Sequence, residues 1–336
     1  MSIQIEEKKY PVKLLVLLIC AILACFIIIA GLFVVSDVMS VSKGDVFIVE
    51  DGFTVNRTAM ELSEEGIVRY PLVFRMISRF NGTDLKIRPG RVVIKKGMSY
   101  FEILDSLSDP ETTLTKVVIP EGLELKEIAA KLSEFVSEDE FYAALEADYD
   151  YRFLVGVPVR ENRLEGYLFP ATYEIKNGMT AVEIIDMMLK TFDEAFKPEY
   201  YKRADELGMT VDEIITLASI IERESNSGAE RSKVAGVFYN RLNENMRLQS
   251  CATVQYILKE RKTVLSTADT RIESPYNTYL NDGLPPGPIA SPGLECIKAA
   301  LYPDETDALY FVLGSDGKHI FSATYDEHLA AKNGGQ

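Results

Sequence analysis

Histidine, tryptophan and cysteine are scarce in this chain of 336 residues. It contains two histidines, no tryptophan and four cysteines, two of which lie in one long apolar run. The histidines and the two remaining cysteines do not fall at metal-ligand spacing, so the sequence predicts no metal site. Cys251 and Cys296 could pair in an oxidising compartment, but the sequence leaves their separation in space open.

Motifs for nucleophilic hydrolysis and for nucleotide binding are missing as well. No G-x-S-x-G elbow occurs, and a Ser-His-Asp arrangement would have to use His319 or His328. No G-x-x-x-x-G-K-[ST] segment is present, so we expect neither a bound nucleotide nor a cofactor. The net charge of −15 falls on residues 38–336, because the preceding residues balance three lysines with three acidic side chains. This acidity argues against nucleic-acid binding.

A long apolar run stands near the N-terminus. Residues 14–35 contain 22 positions without a charge, enough for a helix to cross a bilayer. A cleaved signal peptide usually has a shorter apolar core and a small-residue cleavage site, which favours an uncleaved single span. Lysines precede the run, and no Lys or Arg follows it until Lys43. We therefore predict a cytoplasmic tail over residues 1–13 and an extracellular or periplasmic chain beyond the cell membrane.

A short motif recurs three times behind the apolar run. Each copy has a β-rich stretch, a charged residue with glycine, and an amphipathic helix that closes on leucine. The copies are DGFTVNRTAMEL (51–62), KGMSYFEILDSL (96–107) and EGLELKEIAAKL (121–132). Small βα units of this kind resemble LysM-type glycan-binding modules, although a spacer or scaffold fits the pattern equally well.

Two further segments have recognisable local patterns. Proline and glycine at Pro158, Gly166 and Pro170 predict a structured loop over residues 155–175. Near the C-terminus, the sequence LYFVLGSDGKHIFSAT (309–324) predicts a β-hairpin that turns at Asp-Gly and leads into a short helix.

Two glutamates end an otherwise apolar helical segment, ASIIERES (218–225). Thr210 and Glu213 fit a capping box, so the helix should begin beside Thr210. On a helical wheel, Glu222 and Glu224 fall about 80° to either side of the centre of the apolar face. Both are shoulder positions, and for neither does the wheel decide between a solvated side chain and a catalytic acid.

Because motifs for a metal site, a serine nucleophile and nucleotide binding are absent, carboxylate side chains remain as candidates for catalysis. The chain is rich in tyrosine, and most of it is expected outside the cell. Glycan cleavage suits such a protein, because it needs a proton donor at the leaving oxygen and no metal or nucleotide.

Five segments resemble those of the MltG (YceG-like) endolytic murein transglycosylases. They are LEGYLFPATYEI (164–175), ASIIERES (218–225), VAGVFYNRL (234–242), RLQSCATVQYIL (247–258) and YNTYLNDGLPPGPIASPG (276–293). The apolar span and the LysM-like module also match the N-terminal half of that family. The resemblance implies a peptidoglycan lytic transglycosylase, a lyase that acts on polysaccharide and terminates glycan strands.

The resemblance also implies which glutamate carries the chemistry. The family's catalytic residue is the second glutamate of the E-x-E pair, here Glu224. It would protonate the glycosidic oxygen between N-acetylmuramic acid and N-acetylglucosamine, then accept a proton from the muramic 6-hydroxyl, leaving a 1,6-anhydro end. Such an acid must hold its proton near neutral pH, which burial beside apolar side chains promotes. Glu222, Asn240 and Arg241 are expected to support the site from behind.

Substrate contacts are expected from amide, phenol and hydroxyl groups, which match sugar hydroxyl and N-acetyl groups. The predicted contacts are Glu165, Ser225, Gln249, Tyr276, Asn277, Thr278 and Tyr279. Loop stabilisation is an equal alternative for the glutamine and the four loop residues, and Glu165 fits an ordinary exposed glutamate nearly as well. Cys251-Ala252 and Ala171 depart from the Asp-Pro and Asp common in the family, and neither departure replaces the acid.

Partners and an alternative function follow from the same resemblance. It implies peptidoglycan glycan strands as substrate and the membrane as the site of anchoring. Penicillin-binding proteins and the elongation or division machinery are implied as partners. A non-catalytic, peptidoglycan-binding scaffold for cell-wall synthases is the alternative.

The resulting domain prediction has three parts behind the anchor. A LysM-like module occupies 38–112, a linking α/β subdomain 113–195, and the catalytic domain 196–336. Pro110 marks the first boundary, in a polar stretch that interrupts the helical pattern. The predicted fold class is α+β: one transmembrane helix, a small LysM-like βα module, and a mixed α/β lytic transglycosylase domain.

Overall fold

A computed structural model gives a mixed α/β fold. It describes residues 40–41, 43–50, 52–82, 87–108, 114–176, 178–225, 228–258, 262 and 264–334. The predicted tail and membrane span lie outside these residues. Within the described ranges, no helix is long and apolar enough to cross a bilayer. The chain divides into two compact units, Met1–Leu114 with Lys176–Gly178, and Thr115–Ile175 with Met179–Gln336.

The first unit has the element order βααβα. Its elements are β1 (Asp45–Val49), α1 (Val55–Glu64), α2 (Pro71–Asn81), β2 (Gly90–Ile94) and α3 (Tyr100–Ser108). Strands β1 and β2 pair antiparallel, with Phe47 opposite Val92. Phe47, Phe74 and Tyr100 are buried in one core, where the rings of Phe74 and Tyr100 meet edge to face at 5.4 Å. Apolar burial of this kind is the main force that holds so small a unit together.

The three recurrent motifs form strand, glycine turn and helix, which confirms the secondary structure predicted for them. Gly52, Gly97 and Gly122 adopt positive φ angles of 82°, 90° and 76°. A residue with a side chain reaches this region only with strain, so glycine suits each turn. Two copies lie in the first unit. The third, built on Gly122, lies mainly in the second unit, and glycan binding by the modules stays a prediction.

The second unit contains most of the helices. Its elements are β3 (Leu114–Ile119), α4 (Leu125–Leu132), α5 (Glu138–Leu145), β4 (Ala171–Lys176), α6 (Ala181–Ala195), α7 (Pro198–Leu207), α8 (Val211–Glu224), α9 (Arg231–Asn243), α10 (Cys251–Leu258), α11 (Leu294–Leu301), β5 (Tyr310–Leu313), β6 (His319–Ser322) and α12 (Tyr325–Gly334). Strand β3 pairs with β4, and β5 pairs with β6.

Two local predictions can be compared with these elements. The C-terminal hairpin and the helix after it are confirmed, with Gly317 in the turn at a φ of 79°. The loop predicted over 155–175 is wrong at its end, because Ala171 already begins β4. Every second side chain of β4 is buried there, a strand pattern that the neighbouring prolines and glycine obscured in the sequence. The boundary at residue 195 stays a prediction.

A buried ion pair fixes the start of helix α8. Both terminal nitrogens of Arg160 donate to the carboxylate of Asp212, at 2.6 and 2.7 Å, and the Tyr167 hydroxyl donates to the same carboxylate at 2.7 Å. Next to Tyr167, a Cβ on Gly166 would lie 2.4 Å from Cβ of Pro288. The LEGYLFP and PPGPIASPG segments therefore meet beside the first half of α8, where Ile215 also lies close to Gly166.

Candidate active site

Glu224 is the last residue of helix α8. The predicted capping box is confirmed at the other end, where Thr210 and Glu213 exchange hydrogen bonds between side chain and backbone. The helix then runs for 14 residues, and Ile220 and Ile221 near its end are fully buried. Glu224 is half-buried, and an apolar wall against its carboxyl group stays a prediction.

The carboxylate of Glu224 is held by the start of helix α10. Its Oε1 accepts a hydrogen bond from the Ser250 hydroxyl and another, at 3.2 Å, from the backbone N–H of Ala252. The N-terminus of a helix carries partial positive charge, so this position attracts a carboxylate. Among the described residues, none donates a hydrogen bond to Oε2. The start of α10 therefore holds one oxygen of this carboxylate.

Thr278 holds the segment that contacts Glu224. Its hydroxyl oxygen accepts from the backbone N–H of Ser250 at 3.0 Å and lies 2.9 Å from the hydroxyl of Thr253. Its carbonyl accepts from the N–H of Gln249. Gln249 adopts a left-handed backbone with a φ of 47°, a strained conformation that these hydrogen bonds hold in place. The side chain of Gln249 is exposed beside the carboxylate-binding segment.

Tyr279 lies near enough to Glu224 for the charge of the carboxylate to act on its hydroxyl group. Its hydroxyl is 3.1 Å from the thiol of Cys251, the first residue of α10. Burial, the hydrogen bond with Cys251 and the negative charge of Glu224 raise the pKa of Tyr279 above its ordinary value. The phenol therefore stays protonated and can donate a hydrogen bond beside the carboxylate.

Three of the predicted substrate contacts are turned toward the protein. Asn277 is fully buried; its amide donates to the carbonyls of Thr270 and Ile272 and accepts from the N–H of Tyr279. The Ser225 hydroxyl donates back into α8, to the carbonyl of Ile221. Thr278 is also buried. These contacts show that Asn277, Thr278 and Ser225 stabilise the surrounding backbone. For Asn277 and Thr278 this is the loop-stabilising alternative stated above. Contacts of the three residues with a sugar stay predictions.

Glu222 faces away from Glu224 and holds a different helix. Its Oε2 accepts from the N–H of Gly293 at 2.9 Å, at the start of α11, where no side chain of that helix provides a cap. The thiol of Cys296 also bonds to Glu222, and burial raises the pKa of that thiol far above its ordinary value. The two glutamates that the helical wheel could not separate thus have distinct surroundings.

Glu165 lies in a neighbouring pocket with Tyr276. The pocket has a volume of about 290 Å³, and Tyr256 forms part of its wall. Glu165 is 2% exposed, so its interpretation as an ordinary exposed glutamate is wrong. Its oxygens accept from the N–H of Leu125 at 3.2 Å and from the Tyr256 hydroxyl at 3.4 Å. Burial and the nearby charge of Glu124 raise the pKa of Glu165 to about 8.

Asn240 and Arg241 lie on helix α9 behind the site. Asn240 donates from its amide to the carbonyls of Thr306 and Ala308. Arg241 is buried and donates to the carbonyls of Leu248 and Leu309, at 2.7 and 2.6 Å. Arg241 thereby connects the segment before Ser250 to the C-terminal hairpin.

The two cysteines beyond the apolar run differ in exposure. Cys251 is exposed and Cys296 is buried, and both are free thiols. Over the described residues, no group of three or more His, Cys, Asp or Glu side chains could hold a metal ion.

Two residues of the site were missed by sequence reasoning. Ser250 touches the carboxylate of Glu224, and Tyr256 touches that of Glu165. Both lie in the segment RLQSCATVQYIL, which carried part of the family resemblance. Helical periodicity gave no signal for either contact, because Ser250 precedes α10 and the partners of both residues lie far away in the sequence.

Comparisons with known proteins agree on one family. The sequence profile of the YceG-like family matches residues 47–334. An endolytic murein transglycosylase from Streptococcus pneumoniae serotype 2 (strain D39) is 34% identical over 313 residues, covering 83% of this chain and 56% of that protein. One from Bacillus subtilis (strain 168) is 33% identical over 302 residues, covering 84% and 82%.

A solved structure has the same fold. The crystal structure of a yceG-like protein from Listeria monocytogenes matches with a TM-score of 0.60 and 30% identity, covering 85% of this chain and 98% of that one. The chain spans a little over half the length of the pneumococcal relative, 56%. Profile, relatives and fold agree, and the chain belongs to the YceG-like family.

Proposed function

We propose that the chain is an endolytic peptidoglycan lytic transglycosylase with Glu224 as its single catalytic acid and base. It would cleave the β-1,4 bond between N-acetylmuramic acid and N-acetylglucosamine. The observation that carries the proposal is the placement of Glu224, half-buried with one oxygen held by Ser250 and Ala252. Relatives from two genera named endolytic murein transglycosylase support the substrate class.

The proposed reaction uses one carboxyl group twice. Protonated Glu224 donates its proton to the glycosidic oxygen, and the bond from that oxygen to C1 of the muramic ring breaks. The 6-hydroxyl of the same ring then bonds to C1 and gives its proton to the Glu224 carboxylate. The products are a strand with a free N-acetylglucosamine 4-hydroxyl and a strand that ends in 1,6-anhydromuramic acid. No water is consumed, and the acid is regenerated.

The surroundings of Glu224 suit a reaction with one carboxylate. Retaining and inverting glycoside hydrolases place two carboxyl groups across the bond, about 5–10 Å apart. In the described part of the site, Glu224 is the carboxylate whose charge acts on Tyr279 and on Cys251. Glu222 is directed to helix α11 and Glu165 to the neighbouring pocket. This division supports an intramolecular 6-hydroxyl attack over a carboxylate nucleophile.

We further propose that the enzyme acts at the outer face of the cell membrane. The uncharged run at 14–35 would anchor it with the N-terminus in the cytoplasm, which places residues from about 38 onward outside the cell. Newly made glycan strands would then be its substrate. Penicillin-binding proteins and the elongation or division machinery would be its neighbours, and the LysM-like module would contribute glycan binding.

The test is a digest of purified glycan strands by the chain from residue 38, followed by mass spectrometry of the new ends. We expect internal cuts with 1,6-anhydro ends from the wild type and none from Glu224→Gln, which keeps the shape of the side chain. If strands are bound but never shortened, the alternative of a non-catalytic scaffold for cell-wall synthases takes the place of this proposal.

A further inference from the structure

The pocket around Glu165 continues the site of Glu224 along two structural elements. On helix α10, Ala252 contacts Glu224 and Tyr256, one turn later, contacts Glu165. In the loop after it, Tyr279 lies beside Glu224, and Tyr276, three residues earlier, lines the pocket. The two contacts start one turn apart on α10, and Tyr256 makes its contact through the hydroxyl at the end of its side chain. Helix α10 and the loop that contains Tyr276 and Tyr279 therefore contribute to both the Glu224 site and the Glu165 pocket.

The lining of this pocket combines charged side chains, among them the exposed Glu161, with three tyrosines. Glu124, at its edge, is paired with Lys126 at 2.8 Å, and the side chain of Glu124 is 8% exposed. Tyr142, Tyr256 and Tyr276 supply aromatic surface and hydroxyl groups. The rings of Tyr256 and Tyr276 lie 5.1 Å apart and are tilted by 46°. Ligand pockets begin at roughly 300 Å³, so this cavity admits one small group.

Glu165 has an unmet hydrogen-bonding capacity in this pocket. With its pKa raised to about 8, by burial first and by Glu124 second, the carboxyl group is protonated at neutral pH. Of its contacts, the N–H groups of Leu125 and Gly166 cannot accept a proton, and the Tyr256 hydroxyl is at 3.4 Å, a long distance for such a bond. A buried O–H without an acceptor is costly, and an oxygen on a bound ligand would remove that cost.

We propose that this pocket is a saccharide subsite that binds one N-acetylglucosamine ring of the strand, next to the bond cleaved at Glu224. The proposal rests on the proposed function for the identity of the strand. Tyr276 and Tyr256 would contact the apolar face of the ring. Glu165 would donate a hydrogen bond to an oxygen of the sugar, such as the N-acetyl carbonyl. A muramic ring is disfavoured here, because its peptide stem would not fit a cavity of about 290 Å³.

Binding by an inactive enzyme tests the subsite separately from catalysis. The probe is a β-1,4-linked N-acetylglucosamine tetramer, titrated by calorimetry into the full chain carrying Glu224→Gln. Adding Tyr276→Ala should weaken binding by roughly tenfold, because a stacked aromatic contact is lost. Tyr276 is half-buried in a loop, so its truncation is tolerated better than a change at Glu165. Tyr302→Ala, an exposed tyrosine of the same unit outside this pocket, should leave the affinity unchanged.

Kinetics supply the second readout. In the chain with Glu224 intact, Tyr276→Ala should raise KM and change kcat little, because a sugar held away from the broken bond contributes equally to ground and transition states. Glu165→Gln keeps a hydrogen-bond donor and should bind more tightly than Glu165→Asp, whose shorter side chain withdraws it.

The outcomes separate this proposal from the proposed function. If 1,6-anhydro ends form but Tyr276→Ala changes neither tetramer affinity nor KM, the subsite is wrong and the enzyme stands. If no strand is cleaved while tetramer binding depends on Tyr276, the subsite stands and the catalytic proposal is wrong. Equal loss of binding in Tyr276→Ala and Tyr302→Ala would contradict the subsite as well.

Discussion

Glu222 and Glu224 lie two residues apart at the end of one helix, yet the structure gives them different surroundings. Glu224 accepts hydrogen bonds from Ser250 and Ala252, whereas Glu222 accepts one from Gly293 at the start of α11. At a spacing of two, side chains on a helix point about 200° apart, which explains how they serve different neighbours. Their identical chemistry thus supports two unrelated roles, one proposed for catalysis and one in holding a helix.

The exposed thiol of Cys251 provides a test of where the substrate binds. Cys251 begins α10 beside the segment that holds Glu224, and its sulfur is 3.1 Å from the Tyr279 hydroxyl. A bulky maleimide attached there should abolish strand cleavage by blocking the approach to Glu224. The measurement compares activity before and after labelling, with the modified residue identified by mass spectrometry.

A Cys251→Ser variant is the matched control for this labelling. In the chain from residue 38, which lacks Cys20 and Cys25, the remaining Cys296 is fully buried, so the variant should neither react nor lose activity when treated. Full activity of the labelled wild type would show that substrate does not pass Cys251, and would contradict the proposed cleft.

The buried carboxyl group of Glu165 predicts a pH dependence of stability. Its pKa lies at about 8 in the folded protein against 4.5 ordinarily, because burial and Glu124 disfavour the charge. Between these values the unfolded chain releases the proton and the folded chain keeps it, so stability falls as pH rises. The loss is absent below the ordinary value and complete above about 8.

Replacing Glu165 with glutamine should remove this dependence. The free energy of unfolding of Glu165→Gln relative to wild type should grow between pH 5 and pH 8, by up to about 1.4 kcal/mol per pH unit. Urea unfolding at several pH values measures it, with the exposed Glu134→Gln as control. A difference that stays constant over this range would show that the folded carboxyl group is ionised.

At the scale of elements, helix α8 shows what could be predicted from the sequence. The capping box of α8 and its end near Glu224 could be predicted from the sequence, because both depend on neighbours within a few residues. The buried pair of Arg160 with Asp212 was not, because its members are 52 residues apart. The contact of Ser250 with Glu224 could not be predicted either, because these two residues are 26 positions apart. Periodicity reports which face of a helix is buried, and long-range partners require the fold.

Glu222 should contribute to stability and not to chemistry. Glu222→Ala removes the acceptor for Gly293 at the start of α11, where the loss of a capping group costs about 1 kcal/mol. We expect a lower melting temperature and unchanged 1,6-anhydro products for the variant. Glu222→Gln retains an acceptor oxygen and should lie between alanine and wild type in thermal unfolding. Loss of cleavage at temperatures where Glu222→Ala is folded would mean that Glu222 takes part in the reaction.

For the whole molecule, the described residues of the site all lie in the second compact unit. The mixed α/β fold and the strand-turn-helix repeats followed from the sequence, since each depends on local patterning. The compact units divide after Leu114, and the domain boundary predicted at residue 112 stays a prediction. The pairing of β3 with β4, separated by more than 50 residues, did not follow, because strand partners depend on the path of the chain.

Deleting the LysM-like module tests whether the chain is an enzyme or a scaffold. A chain without residues 38–112 should still cleave isolated glycan strands, because Glu224, Ser250 and Tyr279 lie in the other unit. A lower rate at low strand concentration is the expected cost, if the module adds glycan affinity. The matched Glu224→Gln deletion variant should be inactive. Equal behaviour of the two in strand binding, with no cleavage by either, would favour the scaffold.

The central claim is that one glutamate cleaves the strand without water. Its most direct test is mass spectrometry of glycan ends produced in water enriched with ¹⁸O, by wild type and by Glu224→Gln. Lytic cleavage predicts 1,6-anhydromuramic ends free of the label from the wild type, and no new ends from the variant. Labelled, ordinary reducing ends would identify a hydrolase, and unchanged cleavage by Glu224→Gln would place the chemistry on another residue.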